Sequence, residues 1–170
     1  MEHTSIRLAT AKDAETIAQI INSAWQTAYA GIVPQAYLDS LKEIPRAQRL
    51  IEGLEQFPDL QYYLFEEDGI PVGTASLHPT HDEDLPDTAE FTFFYFLPCV
   101  WRRGYGKLLL DRLKADARQR GFRQICCWVL EENTRAIAFY ESQGMLRDGK
   151  RQTVTIGEPL EAVRCIASLE

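Results

Sequence analysis

No stretch of this 170-residue chain approaches the ~20 consecutive apolar residues that a membrane-spanning helix needs. Met1 to Thr10 carries no basic patch followed by an apolar segment, so no secretory leader is visible. A cytoplasmic protein with no membrane partner is the expectation. Histidine is scarce, and His3, His78 and His81 are too scattered to propose a metal site. His78 and His81 lie among prolines and acids, in a stretch read as loop. Four cysteines are present, but no CxxC or Cys/His spacing suggests zinc. Cys126 and Cys127 are adjacent while Cys99 and Cys165 stand alone, a pattern read as reduced, buried thiols. Basic residues are also short, with 18 Lys+Arg against 25 Asp+Glu and a net charge of −7. A general nucleic-acid binder would carry the opposite balance.

The rest of the composition is ordinary. Hydrophobic residues make up 45% and charged residues 25%, the mix of a soluble globular domain. A chain of this length buries a core without staples. Residues 1–170 are therefore read as a single domain, without repeats, linkers or low-complexity tracts.

Periodicity places the elements. Ile6 to Leu8 reads as a first strand. Thr10 and Asp13 form a Thr-x-x-Asp helix start. Apolar residues at Ala14, Ile17, Ala18, Ile21, Trp25 and Ala28 then follow a 3.6-residue period. Gly31 and Pro34 end that helix. A second helical stretch covers roughly 35–54, kinked near Pro45. Tyr62 to Phe65 and Val72 to Leu77 flank an Asp68-Gly69 hairpin signal. His78 to Asp87 reads as a polar loop. Glu90 to Leu97, rich in aromatics, reads as one strong strand. A helix spans 104–120, with Leu109, Leu110, Leu113 and Ala117 on its apolar face and Gly121 at its end. Gln124 to Leu130 reads as a central strand. Asn133 caps a helix over 134–143 that Gly144 terminates. Two strands close the chain, near 152–156 and 162–169. The order implies an α/β chain with a mixed sheet, in which residues 90–130 form a βαβ unit.

The segment from Phe94 to Lys107 carries the most information. A strand ends at Pro98, and basic residues with two glycines lead into a helix. Free N–H groups at a helix N-terminus attract an anion, and Gly104 and Gly106 permit close backbone approach. Arg102, Arg103 and Lys107 add positive charge, and a pyrophosphate fits this chemistry. An ordinary strand-to-helix turn with solvated arginines fits the segment as well. The phosphate-loop pattern is absent, and Leu109 stands where a dinucleotide fingerprint needs its third glycine. In the second segment, Trp128 to Met145, Ala136 and Tyr140 share a helix face at i and i+4. Ala136 leaves room beside the helix and Tyr140 brings a hydroxyl to it. A core aromatic with a tethered hydroxyl is the plainer account of Tyr140.

Together these segments resemble the GCN5-related N-acetyltransferase (GNAT) family. Gly104 and Gly106 take the glycine positions of the family's Arg/Gln-x-x-Gly-x-Gly/Ala motif. Asn133, Ala136, Tyr140 and Gly144 match the later Asn-x-x-Ala-x-x-x-Tyr-x-x-x-Gly-Phe motif, with Met145 in place of Phe. The element order follows the family fold through nearly the whole chain. Ile6-Arg7 to Ala14 and Trp25 to Pro34 look like a common bacterial branch. Trp101 departs from the motif's Arg or Gln, and Arg102 occupies a position where glycine is usual. Backbone donors survive these changes, and Arg102 and Arg103 can compensate.

The resemblance implies transfer of acetyl from acetyl-CoA to a primary amine of a small molecule or peptide, by direct attack in a ternary complex and without a metal. A non-catalytic acyl-CoA-binding sensor or interaction module on the same fold is the competing expectation. The cofactor site would comprise Phe96, Leu97, Arg102, Arg103, Gly104, Tyr105, Gly106, Lys107, Asn133 and Ala136. The pantetheine arm would lie along Tyr95 to Leu97 like an added strand. A backbone N–H at Phe96 or Leu97 would steady the oxyanion. Tyr140 suits the role of acid to the departing thiolate. Glu90 is the candidate base through water. It stands an even number of residues before Phe96, on the same sheet face and within about 20 Å. A strand-end surface acid is the plainer reading of Glu90. Trp25 and Tyr29, beside Tyr37, would wall the acceptor, although core packing accounts for them equally. Asp82, Glu83, Asp84 and Asp87 either attract a cationic amine or form a solvated loop. A homodimer is expected from the relatives alone.

The charge is unevenly spread. Pro98 to Arg120 holds seven Lys/Arg and two Asp/Glu, and the remainder holds 11 and 23. One basic anion site within an acidic body implies CoA at the 102–107 turn. It leaves the body better suited to a neutral or cationic acceptor.

Overall fold

The computed structural model describes residues 3–170. Strand β1 (Thr4–Leu8) leads through a 3₁₀ turn (Ala11–Asp13) into helix α1 (Ala14–Ala28). The Asp13 carboxylate accepts the Thr10 N–H at 2.8 Å, closing the helix start as the Thr-x-x-Asp spacing predicts. The next helical stretch is two helices, α2 (Gln35–Ser40) and α3 (Glu43–Gln56). The break falls at Leu41–Lys42 rather than near Pro45. Pro45 occupies the first turn of α3, where its missing N–H forfeits no helical bond.

Strands β2 (Gln61–Glu67) and β3 (Ile70–Pro79) form the expected hairpin. Asp68 at φ 49° and Gly69 at φ 80° both adopt the left-handed conformation that a type I′ turn demands. His78, expected in a loop, is a buried residue of β3 opposite Glu90.

The stretch expected as one strand, 90–97, is two. β4 (Thr88–Glu90) runs parallel to β6 (Gln124–Leu130) and antiparallel to the end of β3, whereas β5 (Phe94–Phe96) pairs only with β3. Ser76 accounts for the break. Its Oγ accepts the Thr92 and Phe93 N–H groups at 2.9 and 3.2 Å, and its own N–H donates to the Phe93 carbonyl at 3.1 Å. Phe91 N–H still reaches the Cys126 carbonyl at 3.2 Å. The chain therefore leaves β6 after Phe91 and follows β3 alone, so β5 and β6 diverge.

Helix α4 (Tyr105–Gln119) connects this region to β6, and α5 (Thr134–Ser142) leads to the hairpin of β7 (Leu146–Ile156) and β8 (Glu158–Ser168). β7 begins well before the expected start near 152, with a register shift between Arg147 and Arg151. The eight-stranded sheet has the order β1-β2-β3-β4-β6-β8-β7, with β5 beside β3. It is the mixed sheet that the element order implied.

Strand alternation divides the core. Tyr63 and Phe65 pack under α4 with Leu109, Leu110 and Leu113, while Tyr62 and Leu64 pack with Ile17, Ile21 and Leu50 from α1 and α3. Each buried leucine of α4 contributes about 1.5–3 kcal/mol of transfer free energy. The two helical layers clamp the sheet on either face of the divergence.

Candidate active site between the diverging strands

A cavity of about 440 Å³ opens where β5 and β6 part. Phe94, Tyr95 and Phe96 form one wall, and Cys127, Trp128 and Val129 of β6 the other. The first turns of α4 and α5 close its rim. Among the described residues, its lining includes no Asp, Glu or His.

Register determines what β5 offers to this space. Leu97 N–H donates to the Val72 carbonyl at 2.8 Å, and Ser76 N–H donates to the Phe93 carbonyl at 3.1 Å. Alternation along an antiparallel pair then turns the backbone polar groups of Phe94 and Phe96 away from β3, toward the gap. Trp101 Nε1 donates to the Phe96 carbonyl at 2.9 Å, which leaves the Phe96 N–H facing the gap. The oxyanion expectation is corrected for Leu97: its N–H is already bonded, and it does not line the cavity. Phe96 is held in place by an absence of side chain. A Cβ on Gly73, its partner on β3, would lie 2.3 Å from the Phe96 ring.

The glycine turn has two separate reasons for its glycines. Gly104 caps α4 at φ 83°, and among the described residues no atom beyond its chain neighbours lies within 4 Å of where its Cβ would be. It supplies a backbone conformation rather than space. A Cβ on Gly106 would meet the Phe139 ring at 3.1 Å, so this glycine permits α4 and α5 to approach. Arg102 adopts φ 64°, a left-handed conformation unusual for arginine, and lines the cavity. The Gly106 and Lys107 N–H groups, in the first turn of α4, suit an anion placed here. Tyr105 lines the cavity and stacks on Phe65, with ring centroids 4.8 Å apart. Lys107 also lines it but is paired with Asp111 at 2.5 Å. Arg103 is directed elsewhere: it pairs with Glu67, and its guanidinium lies 5.7 Å from the Tyr105 ring centroid.

Trp101 is half-buried beside the turn. The Arg135 guanidinium, from the first turn of α5, lies 3.8 Å over its ring centroid. Arg135 lines the cavity and has no carboxylate partner among the described residues. Sequence reasoning passed over Arg135. The departure at Trp101 was the signal that another cation had to be sought, but nothing local connects residues 101 and 135.

Asn133 caps α5 as expected, its Oδ1 accepting the Ala136 N–H at 3.3 Å. Both residues line the cavity, as does Tyr140. The Tyr140 ring is buried, 5.6 Å from Phe91, and its hydroxyl makes no hydrogen bond among the described residues. Burial first, and then the nearby Cys127 and Tyr95, push its phenol well above the ordinary value of 10. It remains a protonated donor across the physiological range.

Tyr29 reaches the cavity and bonds Tyr95 through their hydroxyls at 2.9 Å. Burial and the charge of Tyr95 raise the Tyr29 phenol as well. Trp25 stands behind it, edge-on at 4.8 Å, and does not line the cavity. Glu90 is also off the wall. It is buried, and its Oε2 accepts the Thr80 hydroxyl at 2.7 Å. The spacing argument that set Glu90 and Phe96 on one face assumed an unbroken strand, and the break at 91–93 removes it. Asp82 and Asp84 are engaged by the buried Arg164 at 2.9 and 2.8 Å, with Asp148 as a third partner at 2.7 Å. That guanidinium holds the Asp84 carboxyl far below the ordinary carboxylate range. No helix of the described residues is long and apolar enough to cross a membrane. No metal-holding cluster occurs among them.

Comparison with known proteins gives a consistent result. The Acetyltransferase (GNAT) family model matches residues 17–145. An uncharacterized N-acetyltransferase of Bacillus subtilis, YuaI, is 30% identical over 142 residues, spanning 81% of this chain and 78% of its own. The spermidine N(1)-acetyltransferase of Thermoplasma acidophilum is 22% identical over 143 residues, covering 82% and 86%. Among solved structures, the PaiA N-acetyltransferase of Thermoplasma acidophilum in complex with coenzyme A superposes with a TM-score of 0.77 at 20% identity, over 98% of this chain and 99% of its own.

Proposed function

The chain belongs to the GNAT acetyltransferase family, and from that premise we propose that it moves the acetyl group of acetyl-CoA to a primary amine of a small molecule or peptide, both substrates being bound together. The observation that carries this reading is the open edge of β5 beside Arg102 and Arg135, which have no carboxylate partner among the described residues. An extended, anionic thioester needs both. The Phe94 and Phe96 backbone groups facing the gap suit the amide groups of a pantetheine arm, as an added strand would. Arg102, Arg135 and the first-turn N–H groups of α4 suit the phosphates. Bound there, acetyl-CoA supplies an activated acyl group whose thiol is a good leaving group.

The chain's own residues then have separable tasks. The Phe96 N–H faces the place where negative charge develops on the acyl oxygen. Tyr140 donates its phenolic hydrogen to the departing sulfur; its raised pKa makes it a hydrogen-bond donor first and a proton donor late. An alkylammonium acceptor must lose a proton before it attacks, since its pKa lies near ~10. Glu90, buried next to Phe91 of the wall, is the group assigned to receive that proton through water. Tyr29 and Tyr95 border the acceptor side.

Thiol release from acetyl-CoA, followed across amines, amino acids and peptides, tests this reading. Release that depends on an amine supports it. Saturable acetyl-CoA binding with no release under any acceptor would favour the non-catalytic sensor instead.

A further inference from the structure

A second cavity, about 470 Å³, adjoins the first. Thr92 and Phe93, in the break between β4 and β5, line both. Both cavities therefore border the point where the sheet parts. Its volume falls within the about 300–1,000 Å³ of ordinary small-molecule sites. Phe57, Tyr62 and Phe93 give it apolar rings, and Arg46 and Arg49 give it charge.

These two arginines are an anomaly. Acids outnumber bases in this chain, 25 to 18. Yet neither Arg46 nor Arg49 has a carboxylate partner among the described residues. At i and i+3 they share one face of α3, where like charges repel. Arg46 is only partly exposed, and desolvation lowers its pKa. A half-buried cation without a counter-ion is unfavourable unless something supplies the charge. Arg46 is also held in position: Nε donates to Asn22 Oδ1 at 2.6 Å, and the guanidinium lies 5.1 Å from the Trp25 ring centroid. The Nη groups keep their donors. Asp59, the single carboxylate lining the cavity among the described residues, is exposed.

We propose that the amine acceptor carries a carboxylate, and that this carboxylate is held by Arg46 and Arg49 in the second cavity while the amine is directed past Thr92 and Phe93 to the thioester. The acceptor class is an amino acid with an apolar side chain, or a peptide presenting its terminal carboxylate. This rests on the acetyl-transfer reading above, and it reverses the expectation that an acidic body selects a neutral or cationic acceptor.

The experiment compares kcat/KM for L-phenylalanine and L-leucine with their carboxamides, for a short peptide with a free or an amidated C-terminus, and for spermidine. Arg46→Met and Arg46→Lys are run beside the parent protein, with acetyl-CoA affinity confirming that each variant is folded. Free carboxylates are expected to exceed their amides by at least about 10-fold, the scale of one charge-assisted hydrogen bond. Arg46→Met should collapse that ratio toward one through KM, and Arg46→Lys should retain part of it. The free amino acids and the free peptide separate the two sources of the carboxylate. No preference for carboxylates, a preference for spermidine, or a ratio unchanged in Arg46→Met would overturn the proposal. If no amine is acetylated, calorimetric titration with N-acetyl-L-phenylalanine decides the anion site independently. Binding weakened by Arg46→Met upholds it, and equal or absent binding overturns it.

Discussion

The guanidinium of Arg135 lies 3.8 Å over the indole ring of Trp101, whose Nε1 in turn holds the carbonyl of Phe96. One tryptophan thus links the end of β5 to a cation on α5. At the position where the family motif has Arg or Gln, this chain places an aromatic platform and takes its charge from another helix.

Arg135→Gln should therefore weaken acetyl-CoA binding by about 10-fold, equivalent to ~1.4 kcal/mol. Thermal stability should hardly change, because the side chain is exposed. Calorimetry on acetyl-CoA checks the first part. The loss should shrink at high salt, as expected for a contact between exposed charges.

Tyr140→Phe removes a hydroxyl that bonds no other protein group among the described residues, so the fold should tolerate it. The turnover rate should fall by about 100-fold or more, with acetyl-CoA affinity changed less than about twofold. Steady-state kinetics with direct binding separates the two. An unchanged rate would remove Tyr140 from the leaving-group role.

Gly73→Ala places a Cβ 2.3 Å from the Phe96 ring. The ring must move, and the backbone that presents the Phe96 N–H moves with it. The expected cost is roughly 1–3 kcal/mol in denaturant titration, the range for overpacking a core. Activity should fall more than that destabilisation explains.

Much of this was legible from sequence. Asp68-Gly69 set the β2–β3 hairpin, Leu109 to Ala117 set the buried face of α4, and Asn133 set the start of α5, because each signal is local. The break in 90–97 was not. Its aromatic run contains no glycine or proline, and the residue that creates it, Ser76, comes from a neighbouring strand. The shared face expected for Glu90 and Phe96 was lost to the same break. Arg135, Arg46 and Arg49 carry no local signal that separates them from other helix charges. Only the fold shows that carboxylates elsewhere are already engaged, as Asp82 and Asp84 are by Arg164.

Thiol chemistry tests the packing behind the site. Burial pushes the Cys126 thiol up to about 12, and Cys127 is raised by burial too, whereas Cys99 is exposed. Because Cys126, Cys127 and Cys165 are all buried, iodoacetamide at pH 8 should label the native protein at Cys99 alone, as read by peptide mass spectrometry. The raised Cys126 value also gives stability below its ordinary 9 that is lost as pH rises from there toward 12.

The central claim is direct passage of acetyl from acetyl-CoA to an amine across the gap between β5 and β6. Acetyl-CoA labelled with ¹³C in its acetyl group, incubated with the protein and the amine panel and then analysed by mass spectrometry, tests it most directly. The label is predicted on the amine product, with none on the protein at any stage. Label retained on a protein side chain, or no amine-bound label with any acceptor, would contradict the account.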